Sequence, residues 1–346
     1  MRILIVRTDR IGDVVLSIPV ISMLRKACPE DHIAFLTRPY TRELLEGNPE
    51  LNEIIGYDSG RTGILPVLQT LRQKKFDIAI LLHPTFRLAL LLLLSGIPVR
   101  IGTGYRFYSF LFNRRVYFHR KRDEFHEAEF NLQMLKPLFQ RINQIELSDC
   151  PPKVYPTASA REWAEDKLKK FQITNRLVVI HPGNGGNAPR WSLERFAKVA
   201  GRIQKELGAK ILITGGAGEK DLCQKIIEIH EMRNTGYESR NMYLLAGEAS
   251  IGQLIALLEK ASLLVTNSTG PMHIACALGT PVVAIFCPRR GCHPRRWGPL
   301  GQGHRVMMAD IESCKKCSQK GRVDDCMEQV GEEEVFEACR EILDFK

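Results

Sequence analysis

The sequence contains no long hydrophobic run. Its longest apolar stretch is "LALLLLL", residues 88–94, whereas a helix that crosses a bilayer needs about 20 apolar residues. The first residues, "MRILIVR", have only four consecutive apolar positions before Arg7. They predict a strand rather than a secretion signal. We therefore expect a cytoplasmic protein without a membrane span.

Two familiar nucleotide-binding motifs are also missing. The loop after the first predicted strand has one glycine, Gly12, where the dinucleotide fingerprint GxGxxG needs three. No D-x-D triplet occurs anywhere, although enzymes that hold a nucleoside diphosphate through Mg²⁺ commonly use paired carboxylates. A bound diphosphate would therefore have to be neutralised by cationic side chains and helix N-termini.

Cysteine is present but forms no regular framework. The ten cysteines are mostly scattered, and in a reducing compartment they are expected to remain thiols. Cys314, Cys317 and Cys326 lie close together in the sequence and are a candidate structural metal site. A fourth ligand of such a site would be Cys292 or His293, or there is none. Free or redox-linked thiols are the other interpretation.

The length and the apolar patterning indicate two α/β domains. A chain of 346 residues exceeds one ordinary domain, and strand-like segments alternate with helical ones in two blocks. The proline-rich stretch 140–158 predicts the linker. We expect two doubly wound Rossmann-like sheets facing a cleft, in domains 1–150 and 151–330. A last helix, within 331–346, is expected to pack back toward the first domain.

The first loop, "RTDRIGDVV", places charge at the end of an apolar strand. In one interpretation, Asp13 is a first-turn acid that the helix dipole favours. In the other it is a general base, because ligands of such sheets bind beyond the carboxyl ends of the strands. Arg10 and Asp9 either shape this loop or contact an anionic substrate.

The second half has three loops that predict phosphate or nucleoside contacts. The loop "HPGNGGNAPRW" offers backbone N–H groups and one cation; its candidate residues are Gly183, Asn184, Gly185, Gly186 and Arg190. The alternative is a flexible connection. Glu219, in "TGGAGEKD", could accept hydrogen bonds from ribose hydroxyls, or it could be a simple first-turn acid.

The stretch "TNSTGPMHIACALGTPVVAIF" carries the most specific pattern. Ser268 or Thr269 can cap a helix, Gly270 permits close approach of a ligand, and proline is tolerated where the helix begins. The N-terminal amides and the helix dipole predict a diphosphate site. His273 lies in the same first turn, and packing is its alternative role.

Basic residues dominate one stretch of a chain whose net charge is +10. Residues 100–122 hold seven Lys/Arg, seven aromatics and no acid. Nucleic-acid stacking, contact with an anionic lipid surface and a solvated basic face are all compatible with this composition. An anionic substrate is expected to contact a set of arginines here and in the first loop: Arg10, Arg106, Arg114, Arg115 and Arg120.

Taken in order, these loops resemble the landmarks of the bacterial lipopolysaccharide heptosyltransferases, glycosyltransferase family 9. The resemblance covers nearly the whole chain. It implies the GT-B fold, with an N-terminal acceptor domain and a C-terminal nucleotide-sugar domain. It also implies inverting, metal-independent transfer of a heptose from ADP-heptose to an inner-core acceptor at the inner membrane face. No cofactor and no nucleic-acid partner are implied.

The resemblance assigns roles residue by residue. Asp13 matches the catalytic base, and Gly183 and Asn184 match the first diphosphate loop. Glu219 matches the acid that contacts the nucleoside. The start of the diphosphate-binding helix is matched by Thr269, Gly270 and His273.

Two positions depart from the family pattern. Many members have a lysine where this chain has Pro189, and Arg190 is expected to replace it. Many members have an acid where this chain has Ser268. The alternatives to a transferase are a GT-B-type nucleotide-sugar 2-epimerase and a non-catalytic nucleic-acid-binding protein.

Overall fold

The chain folds into two compact units, which this computed structural model divides into Met1–Tyr155 and Pro156–Lys346. The predicted boundary at 150/151 lies five residues before the observed one. Structure is described for residues 1–58, 63–120, 125–139, 147–174, 176–185, 189–233, 242–309 and 326–344.

The first unit is built on a six-stranded parallel sheet. Its strands are β1 (Arg2–Val6), β2 (His32–Thr37), β3 (Glu53–Gly56), β4 (Ile78–Leu81), β5 (Val99–Thr103) and β6 (Arg114–Val116). They lie in the order β3-β2-β1-β4-β5-β6. Its helices are α1 (Ile11–Val15), α2 (Ile18–Ala27), α3 (Leu65–Lys74), α4 (Phe86–Leu94) and α5 (Glu127–Gln133). The central strand β1 is apolar and buried on both faces, as expected for a parallel sheet covered by helices.

Two local expectations for this unit had different outcomes. Pro19 predicted a break after the first short helix, and α1 and α2 are indeed separate, with the proline in the first turn of α2. A helix expected over 40–47 is instead a 3₁₀ turn, Pro39–Leu44. The Thr41 hydroxyl bonds to the Thr37 hydroxyl at 2.7 Å and donates to the Arg38 carbonyl at 3.1 Å, and such local side-chain bonds compete with a longer helix.

The second unit repeats the same topology. Its strands, in sheet order β12-β11-β10-β7-β8-β9, are all parallel. They are β7 (Leu177–His181), β8 (Lys210–Ile213), β9 (Met242–Leu244), β10 (Leu263–Asn267), β11 (Val282–Phe286) and β12 (Arg305–Met308). The helices are α6 (Ala158–Lys170), α7 (Leu193–Leu207), α8 (Lys220–Arg233), α9 (Ile251–Lys260), α10 (Gly270–Leu278), α11 (Pro294–Trp297) and α12 (Glu332–Asp344).

The C-terminal helix is an integral part of the second unit. Helix α12 packs on α7 and on three strands of the sheet, and its apolar face, including Val335 and Phe336, is fully buried there. The strong apolar stripe of α12 completes the hydrophobic core of its own unit. The expectation that this segment packs back toward the first domain stays a prediction.

Each sheet reverses its strand order at a central strand. Strand β1 lies between β2 and β4, and β7 lies between β8 and β10. In doubly wound sheets ligands bind beyond the carboxyl ends of the strands at this position, so the loops after β1, β7 and β10 are favoured for chemistry. Within the described residues, no helix has the length and apolar character of a membrane span.

Candidate active site

In the first unit, Asp13 lies beyond the carboxyl end of the central strand. The loop after β1 runs from Arg7 to Arg10, and Asp13 sits in the first turn of α1. Its side chain is 16% exposed. The Ser17 hydroxyl donates to the Asp13 backbone carbonyl at 2.7 Å, which closes the turn. The carboxylate is thus held at the edge of the sheet with one side open to solvent.

Arg7 holds this carboxylate in place. Its guanidinium is only 2% exposed, and Nη2 donates to Oδ1 of Asp13. Nε donates to Asp9 at 2.7 Å, and Nη1 lies 3.3 Å from the Glu127 carboxylate. One arginine at the end of an apolar strand therefore contacts three carboxylates.

The pKa values of the two loop aspartates move in opposite directions. Burial raises the pKa of Asp13, and the neighbouring Asp9 and Glu127 charges add to this, so that Arg7 offsets the rise only in part. For Asp9, burial also acts upward, but Arg7 and His83 outweigh it and lower the pKa to about 2. Asp13 is consequently the better proton acceptor of the pair.

A second arginine completes the cluster from a distant part of the chain. Arg120 donates to Glu127 at 2.7 Å and to the side-chain oxygen of Asn131 at 3.1 Å. The same Asn131 oxygen accepts from Arg7 at 3.0 Å. Glu127 is fully buried, so its charge depends on these two guanidinium groups.

Sequence reasoning missed Arg7, Glu127 and Asn131. Arg7 had a usable signal, because a charged residue at the end of a buried strand requires buried counter-charges. Glu127 and Asn131 had none, since they lie more than a hundred residues away and reach the site only through the fold.

Of the predicted acceptor-binding arginines, Arg120 joins the carboxylate cluster through Glu127. Arg10 occupies the N-cap position of α1 without a side-chain capping bond, and Arg106 follows β5; both are exposed at the carboxyl edge of the sheet. Arg114 and Arg115 lie on β6, the outermost strand.

His83 and Tyr40 were not among the predicted residues, yet both contact the first loop. His83 Nδ1 lies 2.9 Å from Asp9 Oδ2, and its side chain is 41% exposed. The Tyr40 hydroxyl donates to the Asp9 carbonyl at 2.6 Å.

In the second unit, Glu219 ties together two of the predicted loops. Its carboxylate accepts from the Gly216 N–H at 2.9 Å and, more loosely, from the Gly185 N–H at 3.4 Å. A Cβ at Gly183 would collide with this carboxylate, so the close approach requires glycine. Each oxygen retains capacity for a further hydrogen bond. Predicted Gly186 lies outside the described residues.

The end of β10 anchors the loop after β7. Asn267 donates to the Pro182 carbonyl at 2.7 Å and accepts from the Trp191 N–H at 3.0 Å. Thr266 donates to the His181 carbonyl at 2.8 Å. These three hydrogen bonds fix both ends of the loop beside the start of α10. Burial lowers the pKa of His181, against the opposing effect of Glu219, so this imidazole is neutral at pH 7.

Helix α10 begins without a side-chain cap. Thr269 occupies the N-cap position, but its hydroxyl pairs with Thr266 at 3.2 Å and makes no capping bond. Amides in the first turn of a helix have no intrahelical acceptor and favour an anion. His273 is buried in the same turn, whereas Arg190 is exposed in the loop after β7. Predicted Ser268 and Asn184 are half-buried in the two loops.

Two of the three cysteines of the candidate metal site, Cys314 and Cys317, lie outside the described residues, and Cys326 is buried. Among the residues with described structure, no group of His, Cys, Asp or Glu could hold a metal ion.

The fold and the loop geometry define the GT-B class of glycosyltransferases: two doubly wound α/β units in one chain. A solved structure, E. coli ADP-heptose lps heptosyltransferase II, matches with a TM-score of 0.83 at 23% identity, over 99% of this chain and 98% of that chain. The chain belongs to glycosyltransferase family 9 (heptosyltransferase), whose sequence model matches residues 64–328.

Two relatives from E. coli strain K12 extend this finding. Lipopolysaccharide heptosyltransferase 3 is 28% identical, over 80% of this chain and 79% of its own length. Lipopolysaccharide heptosyltransferase 2 is 26% identical, over 90% of this chain and 95% of its own length. The family, the fold class and the enzyme class expected from the sequence are thereby confirmed.

Proposed function

We propose that this enzyme transfers a heptose from ADP-heptose to a hydroxyl of a lipopolysaccharide inner-core acceptor, with inversion and without a metal ion. The donor and the acceptor are suggested by what the relatives are called. The single observation that carries the mechanism is the Asp13 carboxylate, whose pKa burial raises and which Arg7 orients at the edge of the sheet.

Asp13 acts as the general base in a single displacement. Arg7 occupies Oδ1, so Oδ2 accepts the proton of the acceptor hydroxyl as its oxygen attacks the anomeric carbon. A raised pKa makes this carboxylate a stronger base than an ordinary aspartate. The acceptor oxygen bonds to the anomeric carbon, and the bond from that carbon to the diphosphate breaks.

The second unit binds the leaving nucleoside diphosphate. The uncapped first turn of α10 and the amides of Gly183–Gly185 supply N–H donors, and Arg190 supplies a cation in place of the lysine that many members carry. Glu219 accepts hydrogen bonds from the ribose. Because the sequence has no D-x-D triplet, these groups take over the charge neutralisation that a metal ion provides elsewhere.

The acceptor side is cationic. Arg10, Arg106 and Arg120 at the carboxyl edge of the first sheet, with Arg114 and Arg115 on β6, bind the phosphates and carboxylates of an anionic glycolipid. A lipid-linked acceptor requires the enzyme to work in peripheral contact with the inner face of the cytoplasmic membrane.

The test combines binding with turnover. Thermal unfolding is measured with ADP-, UDP-, GDP- and CMP-sugars, because a ligand that binds only the folded state raises Tm. ADP-heptose is then incubated with and without a delipidated core oligosaccharide in EDTA. We expect stabilisation by ADP-heptose and transfer only in the presence of the acceptor. Epimerised sugar nucleotide formed without acceptor, or transfer abolished by EDTA and restored by Mg²⁺, would contradict the proposal.

A further inference from the structure

Helix α4 is apolar on both of its faces. Eight of its nine residues, Phe86–Leu94, are apolar. Its inner face, made of Leu88, Ala89, Leu91 and Leu92, is buried against the sheet. Phe86, Leu93 and Leu94 point the other way and are 45%, 37% and 44% exposed. A helix at a protein surface in contact with water is expected to carry polar residues on its exposed face.

Exposed aromatic rings extend this face. Phe107 is 82% exposed and stacks on Phe86 with a centroid distance of 5.9 Å. Phe110 is 67% exposed, on the 3₁₀ turn Ser109–Leu111 that packs against α4. We call the five residues Phe86, Leu93, Leu94, Phe107 and Phe110 the α4 surface. Several large apolar side chains exposed on one helix and the turn packed against it mark an interaction site more often than a single exposed residue does.

The chain around the α4 surface carries charge of one sign. Residues 78–122 contain eight Lys/Arg and no Asp or Glu. Arg87, Arg106, Arg114 and Arg115 within this segment are exposed. A partner must therefore bury apolar side chains and supply negative charge at the same time.

We propose that the α4 surface docks on an anionic lipid bilayer, with its aromatic and leucine side chains in the headgroup–acyl boundary and the surrounding arginines on the lipid phosphates. A bilayer meets both requirements, since its boundary buries apolar groups and its headgroups carry negative charge. A second copy of this chain would bring two basic segments together. A nucleic acid would neutralise the arginines but leave Leu93 and Leu94 exposed.

Part of the α4 surface lies at the sheet edge that carries the Asp13 loop. Phe86 begins α4 just beyond the end of β4, and Phe107 follows β5, so both lie at the same sheet edge as the Asp13 loop. Docking brings that edge close to the membrane. This inference rests on the proposed function, because a sheet edge close to the membrane helps the reaction only if the acceptor is lipid-linked.

The experiment measures binding of the full chain to vesicles of phosphatidylethanolamine that contain about 30% of the anionic lipid phosphatidylglycerol. Donor and acceptor are left out. The double variant Phe107→Ser/Phe110→Ser is compared with wild type. Met232→Ser is the matched control, because Met232 is 79% exposed on the second unit, outside the α4 surface. Thermal unfolding and turnover on the delipidated acceptor are recorded for every variant.

We expect wild type and Met232→Ser to bind the anionic vesicles and to lose affinity as salt rises. The double variant should bind at least about tenfold more weakly, since two exposed aromatic side chains no longer enter the boundary. Its Tm and its turnover on the delipidated acceptor should stay unchanged.

Three results would overturn the docking proposal: absence of vesicle binding by wild type, equal binding by the double variant, or self-association of wild type that the double variant loses. Failure of the proposed function is a separate outcome. In that case vesicle binding would remain intact while ADP-heptose gave no transfer to the delipidated acceptor.

Discussion

The candidate sites of the two units are built from different materials. In the first unit, two guanidinium groups and three carboxylates contact one another with little exposure to solvent. In the second unit, the loops present glycine amides, threonine hydroxyls and the N-terminus of α10. Glu219 is the acid that links two of these loops. The topology of the two sheets is the same, so the contrast comes from the loops.

This contrast matches two different chemical tasks. A general base needs a defined protonation state, and a buried charge network sets it through desolvation and neighbouring charges. A diphosphate site needs several donors aimed at one anion, and backbone amides supply these without a titratable group. Substitutions in the first unit should therefore affect turnover and stability, and those in the second should affect donor affinity.

The largest effect is expected at Asp13. Asp13→Asn removes the proton acceptor but keeps the size of the side chain, so turnover should fall about 10²–10⁴-fold, the usual contribution of a general base. Asp9→Asn is the matched comparison in the same loop. Initial rates of heptose transfer measure both. Near-normal turnover of Asp13→Asn would remove Asp13 from the role of base.

Arg7→Met should destabilise the fold by about 3–5 kcal/mol, because Asp9, Asp13 and Glu127 lose a buried counter-charge. Urea unfolding measures the change. The control is Arg114→Met at an exposed position, where a change within about 0.5 kcal/mol is expected. Equal effects of the two substitutions would mean that the cluster is not held together by Arg7.

In the second unit, Gly183→Ala should weaken donor binding about tenfold, since the new Cβ displaces the Glu219 carboxylate. Gly218→Ala is the control, because a Cβ there meets no atom nearby. Calorimetric titration with ADP-heptose compares the two. If Gly183→Ala binds the donor as tightly as wild type, the close approach of Gly183 and Glu219 has no part in the site.

The smallest effect concerns pH. Burial raises the pKa of Asp13, so kcat/KM should decline on acidification with a midpoint above 3.8. Asp9 behaves oppositely: its folded-state pKa is lowered from 3.8 to about 2. Its stabilising contribution is present above pH 3.8 and is lost as the pH falls toward 2. Activity should thus disappear at a higher pH than the Asp9 contribution to stability, which paired rate and unfolding profiles can measure.

Much of the fold follows from the sequence because its strongest patterns are local. The apolar strands β1 and β7 and the amphipathic α7, which ends at Gly208, were predictable from hydrophobic periodicity and from the residues that end each element. Strands β5, β6 and β12 were not predicted. Each carries arginine and is only partly buried, so hydrogen bonding to a neighbouring strand, rather than its own pattern, decides its structure.

The site was predictable only where its residues are close in sequence. The Asp13 loop and the helix start at Thr269–His273 carry local motifs. The network that holds Asp13 depends on Arg120, Glu127 and Asn131, which meet Arg7 through tertiary packing. No spacing rule connects residues so far apart.

One measurement tests the division of tasks between the units directly. Calorimetry gives the affinity for ADP-heptose of wild type, Asp13→Asn and His273→Ala. Asp13→Asn should bind the donor within about twofold of wild type despite its lost turnover, because a general base acts on the acceptor proton. His273→Ala should bind about tenfold or more weakly, since His273 lies in the first turn of the proposed anion site. A loss of donor affinity in Asp13→Asn as large as its loss of turnover, or unchanged affinity in His273→Ala, would contradict this account.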